Sequence, residues 1–393
     1  MGVANLDITI IGAGVAGLAL ARELALKGAN VTILEQADAI REVGAGLQIS
    51  PNGAAVLRAM GLSDALMAVA MRGQAVELID GMTGERVLRL DLQRLRPKQD
   101  YFFVHRADLI SLLADGARQA GAEIRLLQRI ETVDLQGSRP RLVTQQGVEL
   151  TADLLVGADG LHSRTGAAIN GQSAPFFTKQ VAWRATIPGD PGAKPVAEVH
   201  MGEGRHLVSY PLRGGQLRNI VAVEERDRWV EEGWSLRDDP MDLRLAFQSF
   251  SPRVRGWLDQ IEDVWLWGLF RHPVVKNWYR AMPDGAAVIL GDAAHPTLPF
   301  LAQGASMGLE DAWVLADCLS RLPRNEAVAA FQAARADRCI RIVGAANGNA
   351  KAYHLSGMRR SVSHAGLRVI DRFAPGLAIA RFDWLYGHDV TSR

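Results

Sequence analysis

The sequence predicts an α/β fold: a Rossmann-like parallel sheet, a mainly antiparallel sheet inserted into it, and C-terminal helices. Three observations carry this. A strand–turn–helix–strand unit opens the chain. Short β-like pieces punctuated by Gly and Pro begin near residue 178. The stretch "AAVILGDAAHP" (286–296) then returns to the buried-strand texture of the opening. The implied organisation is a nucleotide-binding domain over 1–177, a β-sheet domain over 178–275, the remainder of the first domain over 276–320, and a helical region over 321–393.

The elements follow in order. "DITIIG" (7–12) reads as a buried parallel strand, "AGVAGLALARELALKG" (13–28) as a helix closed by Gly28, and "NVTILEQ" (30–36) as a second strand. Residues 50–70 read as helical, with Pro51 and Asn52 near the start. "YFFVHRADLISLLADGARQAG" (101–121) gives a strand, then a helix with Leu109, Leu112 and Leu113 on its apolar face. "VTQQGVELTADLLVGADG" (143–160) gives a hairpin around Gln146-Gly147 and another buried strand. "KQVAWRATIPG", "PVAEVHMG", "RHLVSYPLRGG" and "LRNIVAVEE" supply the antiparallel strands, and 241–260 is amphipathic. From Gly308 to Ala352 the pattern is mostly helical, and the rest is helical with breaks such as Pro375.

Bulk composition narrows the function classes. A chain of 393 residues that is 48% hydrophobic and 22% charged can bury a large core in more than one domain. A net charge of +1 provides no global field for nucleic acid or a membrane surface, so no nucleic-acid partner is expected. The longest apolar run, near Thr9–Ala21, is too short to span a bilayer and lacks a basic flank and cleavage site. Cys318 and Cys339 form no CxxC or disulfide framework, which fits a reducing compartment. A cytoplasmic protein is expected, as a monomer or homodimer.

Gly12-Ala13-Gly14-Val15-Ala16-Gly17 is GxGxxG, placed after a strand and opening a helix. The glycines permit a tight turn, close backbone approach and helix–strand packing, so a pyrophosphate can sit on the helix N-terminus. Glu35, ending the second strand, can accept hydrogen bonds from a ribose diol. The motif does not separate NAD from FAD. Two further turns favour FAD. Gly157-Ala158-Asp159-Gly160 and Gly291-Asp292 each place a carboxylate after a buried strand, where ligands bind in open α/β sheets. Such a carboxylate needs donors. Ribityl and ribose hydroxyls would serve, or each Asp caps the following helix.

These three motifs, in this order, resemble the single-component flavoprotein aromatic hydroxylases. The branch is similar to salicylate hydroxylase, 3-hydroxybenzoate 6-hydroxylase and 6-hydroxynicotinate 3-monooxygenase. The likeness runs over about residues 5–390 and includes "REVGAGLQISPNG" (41–53), "HRADL" (105–109), "WRATIP" (183–188) and "DWLYGHDV" (383–390). It implies a glutathione-reductase-like FAD-binding domain. It also implies hydroxylation of a small, carboxylated phenolic or N-heteroaromatic substrate with NADH or NADPH and O2 through a flavin C4a-hydroperoxide. Carried onto this chain, Gly12, Gly14, Ala16, Gly17 and Glu35 would bind the ADP half of FAD, with Arg106 near its phosphates and ribityl chain. Asp159 would sit by the pyrophosphate, Gly291 and Asp292 by the ribityl chain. Gly46, Leu47 and Gln48 would offer backbone near the flavin ring, and Gly304 and Ala305 backbone N–H groups to its pyrimidine edge. Arg41 would contact the cofactor or lie on the surface. The chain reads Leu301-Ala302-Gln303-Gly304 where many relatives have Gly-Gln-Gly. No second GxGxxG is present, since "GEGRHL" (202–207) lacks the third glycine, so NAD(P)H is expected to bind transiently over the same cleft.

A phenol becomes a better nucleophile once deprotonated, so a base is useful. His206 and Tyr210 stand four apart on a predicted strand, an even spacing that points both to one face. The resemblance makes His206 the base and Tyr210 its partner; the plainer alternative is a satisfied His and a packed Tyr in a half-buried strand. Pro296 and Pro299 lack N–H donors and stiffen their loop; the likeness puts Pro299 beside the peroxide and Gln303 over substrate or flavin. Arg184 and Arg213 would meet a substrate carboxylate or lie at the surface. His295 has no assigned role: helix-cap, packing and functional readings all stand. The histidines show no metal-ligand spacing, so no metal is expected, and Ser163 and Ser306 lack a GxSxG elbow.

The rival readings are another flavoenzyme, such as a halogenase or oxidase, a non-catalytic flavin-bound redox partner, and an NAD-dependent dehydrogenase. "WRATIP" lacks the second Trp of a halogenase WxWxIP motif, and no docking extension is visible. A dehydrogenase would not need the late Gly291-Asp292 turn.

Overall fold

The β-branched run Ile8-Thr9-Ile10-Ile11 forms the strand Asp7–Ile11. It lies inside a six-stranded sheet of the computed structural model, which describes residues 2–40, 45–172, 175–227 and 236–392. Edge to edge, the strands are Tyr279–Ala281, Ala286–Ile289, Leu154–Gly157, Asp7–Ile11, Asn30–Leu34 and Glu123–Arg125. All pairs are parallel except the antiparallel edge strand Tyr279–Ala281. Both faces are covered, as a parallel sheet requires. Ile8, Ile10, Ile33 and Val156 pack in one core with the helices Val15–Leu26, Arg106–Gln119 and Gly304–Arg321. Ile11, Leu34 and Leu155 turn to the other side, onto Leu135 and Leu142 around a small antiparallel sheet.

Register places the motifs. Ile11 lies beside Gly157, and Gly157 beside Ile289. The turns beginning at Gly12, Ala158 and Leu290 therefore leave the sheet side by side.

The second sheet has eight strands in the order Arg237–Asp238, Val264–Arg271, Phe176–Pro188, Leu217–Glu225, Arg205–Leu212, Val196–Gly202, Ala75–Asp80 and Arg86–Asp91. It is antiparallel apart from Val196–Gly202 against Ala75–Asp80. The last two strands correct the sequence-based division, which kept 1–177 with the first sheet. The sequence reading assigned no strands there, and chain order does not say which sheet such strands would join. Val76, Leu78, Leu88 and Leu90 extend the apolar face that looks into the cleft.

The two faces of this sheet differ, because successive side chains alternate. Trp183, Leu207, Ile220 and Ala222 pack with Leu243, Phe247, Val254 and Leu258, on and beside the short helices Pro240–Ala246 and Pro252–Leu258. Arg184, His206, Val208, Tyr210 and Val221 line the cleft. The helix expected over 50–70 is two, Pro51–Ala59 and Ser63–Val69, parted at Gly61, whose φ is +73°. The chain ends on the helices Arg324–Tyr353, Gly357–Phe373, Pro375–Ala380 and Asp383–Tyr386. Among the described residues no helix is long and apolar enough to cross a membrane.

Candidate active site

A cleft of about 1880 Å³ lies between the three motif turns and the inner face of the eight-stranded sheet. It exceeds the roughly 300–1,000 Å³ of a drug-sized site, leaving room for an extended cofactor and a small substrate. Gly12, Gly14, Ala16 and Glu35 line it, as do Gly46, Leu47, Gln48 and Arg106. So do Asp159, His206, Tyr210, Gly291, Asp292 and Pro299, and the turn residues Gln303, Gly304 and Ala305. Gly17 is not on the wall: a Cβ there would stand 2.2 Å from the Gly12 carbonyl oxygen, so it serves helix–turn packing. Arg41 lies outside the described residues.

Gly12 has φ +102°, and a Cβ on it would meet the Ala158 carbonyl oxygen at 2.4 Å, so the first two turns touch here. A Cβ on Gly14 would meet nothing within 4 Å. Neither Gly14 nor Gln303, the N-caps of the helices Val15–Leu26 and Gly304–Arg321, offers a side-chain cap. The first N–H groups of both helices are thus available to electron-rich groups in the cleft. Glu35 accepts from the Ala13 N–H at 2.8 Å and the Ala37 N–H at 2.9 Å, which fixes its carboxylate beside the glycine turn.

The two later carboxylates behave differently. Asp159 accepts from Ser163 Oγ at 2.5 Å and from Thr165 N and Oγ1 at 3.1 and 3.2 Å. It orders the start of the helix Arg164–Asn170, and burial still raises its carboxyl above the usual value despite these donors. Asp292 is exposed into the cleft. Its protein walls raise its carboxyl, partly offset by His295 and Arg106.

His295 is a latch for the last turn. Gly291, at φ +61°, donates its N–H to Asp311 at 2.9 Å, and His295 Nε2 lies 2.5 Å from the same carboxylate oxygen. Arg335 Nε donates to the other Asp311 oxygen at 2.7 Å, and its guanidinium pairs with Glu310 at 2.5 Å. Glu310 also accepts from Arg338 at 2.8 Å and Asn52 at 2.7 Å. Burial would depress His295, but Asp311 more than offsets it and holds the imidazole well above its ordinary value. Asp311 is likewise buried, yet His295 and Arg335 hold it down to about 2. His295, Asp311 and Cys339 bring three potential metal-ligand atoms within 4.8 Å, with Arg335 as the cation already beside Asp311.

Gln303 does not aim its amide at the cleft. Its Nε2 donates to Ser50 Oγ at 2.9 Å, and its Oε1 accepts from Asn52 at 3.2 Å. Its side chain ties the segment before the helix Pro51–Ala59 to the Gly304 turn. Pro299 starts a short 3₁₀ turn that ends on Ala302 at φ +51°, and puts Phe300 against His206 with ring centres 5.6 Å apart.

His206 and Tyr210 share a face, but they do not pair. At about 3.3 Å per residue, four residues separate them by some 13 Å. Tyr210 is held by Gln48 and Asn219, and Gln48 also accepts from Tyr101 at 2.7 Å. Burial pushes the Tyr210 phenol upward. Gly46 permits this arrangement, since a Cβ there would lie 2.6 Å from the Tyr210 ring. His206 is 2% exposed, flanked by Phe300 and Tyr353, and its Nδ1 lies 2.7 Å from His354 Nε2. Burial, then His354, lowers His206 well below the usual value.

Of the two candidate carboxylate receivers, only Arg184 lines the cleft, with its guanidinium 4.1 Å from the Trp267 ring centre. Burial, then Arg106, lowers it to about 9. Arg213 is engaged elsewhere, bidentate on Asp108 at 2.7 and 2.9 Å on the surface. The sequence reading missed His354, Asn219, Asp311 and Arg335. None sits in a motif, and His354 is 148 residues from its partner His206.

A family model described as an FAD binding domain matches residues 5–346. The 3-amino-4-hydroxybenzoate 2-monooxygenase of Streptomyces cremeus is 34% identical over 365 residues, which is 89% of this chain and 88% of that protein. The 3-hydroxybenzoate 6-hydroxylase of Klebsiella oxytoca is 31% identical over 393 residues, 96% of each chain. A salicylate hydroxylase substrate complex shares the fold, with a TM-score of 0.81 at 21% identity, covering 99% of this chain and 96% of that one. The chain thus belongs to the FAD binding domain family, as a flavoprotein aromatic monooxygenase.

Proposed function

We propose that this enzyme hydroxylates a small phenolic ring bearing a carboxylate, with NADH or NADPH and O2 as co-substrates. The observation that carries it is a buried imidazole, His206, lining the same cleft as the three glycine turns, where burial disfavours its charged form. The cleft fits FAD: Gly14 opens onto it without a side chain, and two uncapped helix N-termini face it. Gly12, Gly14 and Glu35 would hold the adenosine and pyrophosphate. Arg106 and Asp292 would hold the ribityl chain, with Gly46–Gln48 and Gly304–Ala305 at the ring. Asp159 would act on this site through the backbone it orders. Bound FAD supplies the activation of O2 with electrons from the nicotinamide.

The chain's own part is binding, positioning and proton handling. Arg184 would receive the substrate carboxylate. Val208, Val221 and Pro299 line the cleft and keep water from the reacting ring. His206 would take the phenolic proton, and Tyr210 would fix the ring's orientation through its hydroxyl. A neutral imidazole is ready to accept a proton, so low exposure suits a base. Two buried free cysteines fit a cytoplasmic enzyme, as a monomer or homodimer.

The test is substrate-stimulated NADH and NADPH oxidation with 3-hydroxybenzoate and 3-amino-4-hydroxybenzoate, with hydroxylated product measured in parallel. His206→Ala is expected to keep the flavin absorbance and lose about 10²–10⁴-fold in hydroxylation. Wild-type product formation by that variant would remove His206 from the chemistry.

A further inference from the structure

The cleft histidine is the inner end of a line that reaches the surface. Glu225 ends the strand Leu217–Glu225, and its side chain is 52% exposed. Its Oε1 lies 2.7 Å from His354 Nδ1, and His354 Nε2 lies 2.7 Å from His206 Nδ1. An ionised carboxylate only accepts, so His354 carries its proton on Nδ1 and has a lone pair on Nε2. His206 must then donate from Nδ1, which leaves its own lone pair on Nε2. No hydrogen bond among the described residues uses that nitrogen, and His206 lines the cleft. One surface carboxylate thereby sets both tautomers and gives both hydrogen bonds the same polarity.

The surroundings favour passage over storage. His206 is flanked by Phe300 and Tyr353, and Tyr353 is itself partly buried near Arg381. Burial and the nearby Arg205 lower His354, although Glu225 opposes them. Arg205 is in turn paired with Glu224 at 3.6 Å. A proton left on His206 would be a buried cation, which desolvation disfavours.

We propose that His206, His354 and Glu225 form a proton relay that carries the phenolic proton of the bound substrate out of the cleft to solvent. The inference rests on the reading of His206 as the base. The substrate O–H bond breaks and an N–H bond forms at His206 Nε2. The proton on His206 Nδ1 passes to His354 Nε2, and the proton on His354 Nδ1 passes to Glu225 Oε1 and then to water. No electrons change hands. Both imidazoles end as Nε2–H tautomers, and return of a proton to the product oxygen along the same line resets them. His354 and Glu225 are positioning residues that act through His206.

The experiment uses the full-length, FAD-loaded enzyme mixed anaerobically with 3-hydroxybenzoate, without NAD(P)H. Phenolate absorbance and the colour of a pH indicator follow ionisation and proton release by stopped flow. Glu225→Gln, a surface change that should not affect folding, is expected to slow release several-fold. His354→Gln is expected to slow it by about tenfold or more, with partial recovery on adding free imidazole. Nitrogen NMR of the histidines gives a readout without substrate: both rings carry Nδ1–H in the wild type, and the preference weakens in Glu225→Gln. Release at the wild-type rate in both variants, or a proton on His206 Nε2 in the resting enzyme, would overturn the relay and leave His206 free to act as a base to water. Unchanged ionisation in His206→Ala would instead overturn the base reading on which the relay stands.

Discussion

His295 and His206 are both buried, at 0% and 2% exposure, and the fold treats them in opposite ways. His295 sits against Asp311 and is held as a cation. His206 faces another imidazole and is held neutral. Burial alone penalises charge in both places. What differs is the first partner. A carboxylate that also accepts the Gly291 N–H turns one histidine into part of a fixed ion network behind the last motif turn. An imidazole, itself set beside a surface carboxylate, leaves the other without a counter-charge, as the proposed base requires. A charge that cannot leave makes a good scaffold, and a proton that can leave makes a working group.

The contrast can be broken most strongly at Asp311. Asp311→Asn leaves His295 and Arg335 as buried cations with one carboxylate fewer, and is expected to cost about 3–5 kcal/mol. Urea unfolding measures the loss, and flavin retention should fall with it because the Gly291 turn loses its anchor. A change under 1 kcal/mol would show that His295 is not charged in the fold.

The next largest effect is on pH dependence. His206 is depressed in the fold, so below about pH 6.5 the unfolded chain takes up a proton that the folded chain refuses, and stability falls as pH falls. His295 is raised, so its contribution is complete below about pH 6.5 and is lost as pH rises through its folded value. His206→Phe should flatten the acid-side slope by up to about 1.4 kcal/mol per pH unit. An unchanged slope between pH 7 and 5 would mean that His206 is not held neutral.

The smallest effect sharpens the role of burial. The Asp108–Arg213 pair has bidentate geometry, but it lies at the surface. Arg213→Ala should cost less than about 1 kcal/mol and leave the substrate KM unchanged. By contrast, Arg184→Ala should raise that KM. A raised KM in Arg213→Ala would return that residue to the substrate site.

Much of the fold was legible in the chain. Period-2 and buried-run patterns marked the strands, and the glycine turns marked the cofactor side of the parallel sheet. Less of the site's wiring was legible. Asp159 looked equivalent to Asp292, yet Ser163 and Thr165 four and six residues on engage it, while Asp292 opens to the cleft. Gln303 read as a group over the substrate or the flavin, but Ser50 and Asn52, about 250 positions earlier, use its amide. The strands at 75–91 went unread in the sequence, and nothing local says which sheet they extend.

The sequence by itself determined the class of cofactor, the three turns that border the cleft and the face of the strand that carries His206 and Tyr210. Those depend on backbone conformation and side-chain alternation, which a few consecutive residues dictate. Only the tertiary structure decided which polar groups meet: His295 with Asp311, His206 with His354, Gln303 with Asn52. The reason is desolvation. A side chain's charge and tautomer inside a protein follow from the nearest partner left after water is excluded, and here those partners stand 16, 148 and 251 residues away in the chain.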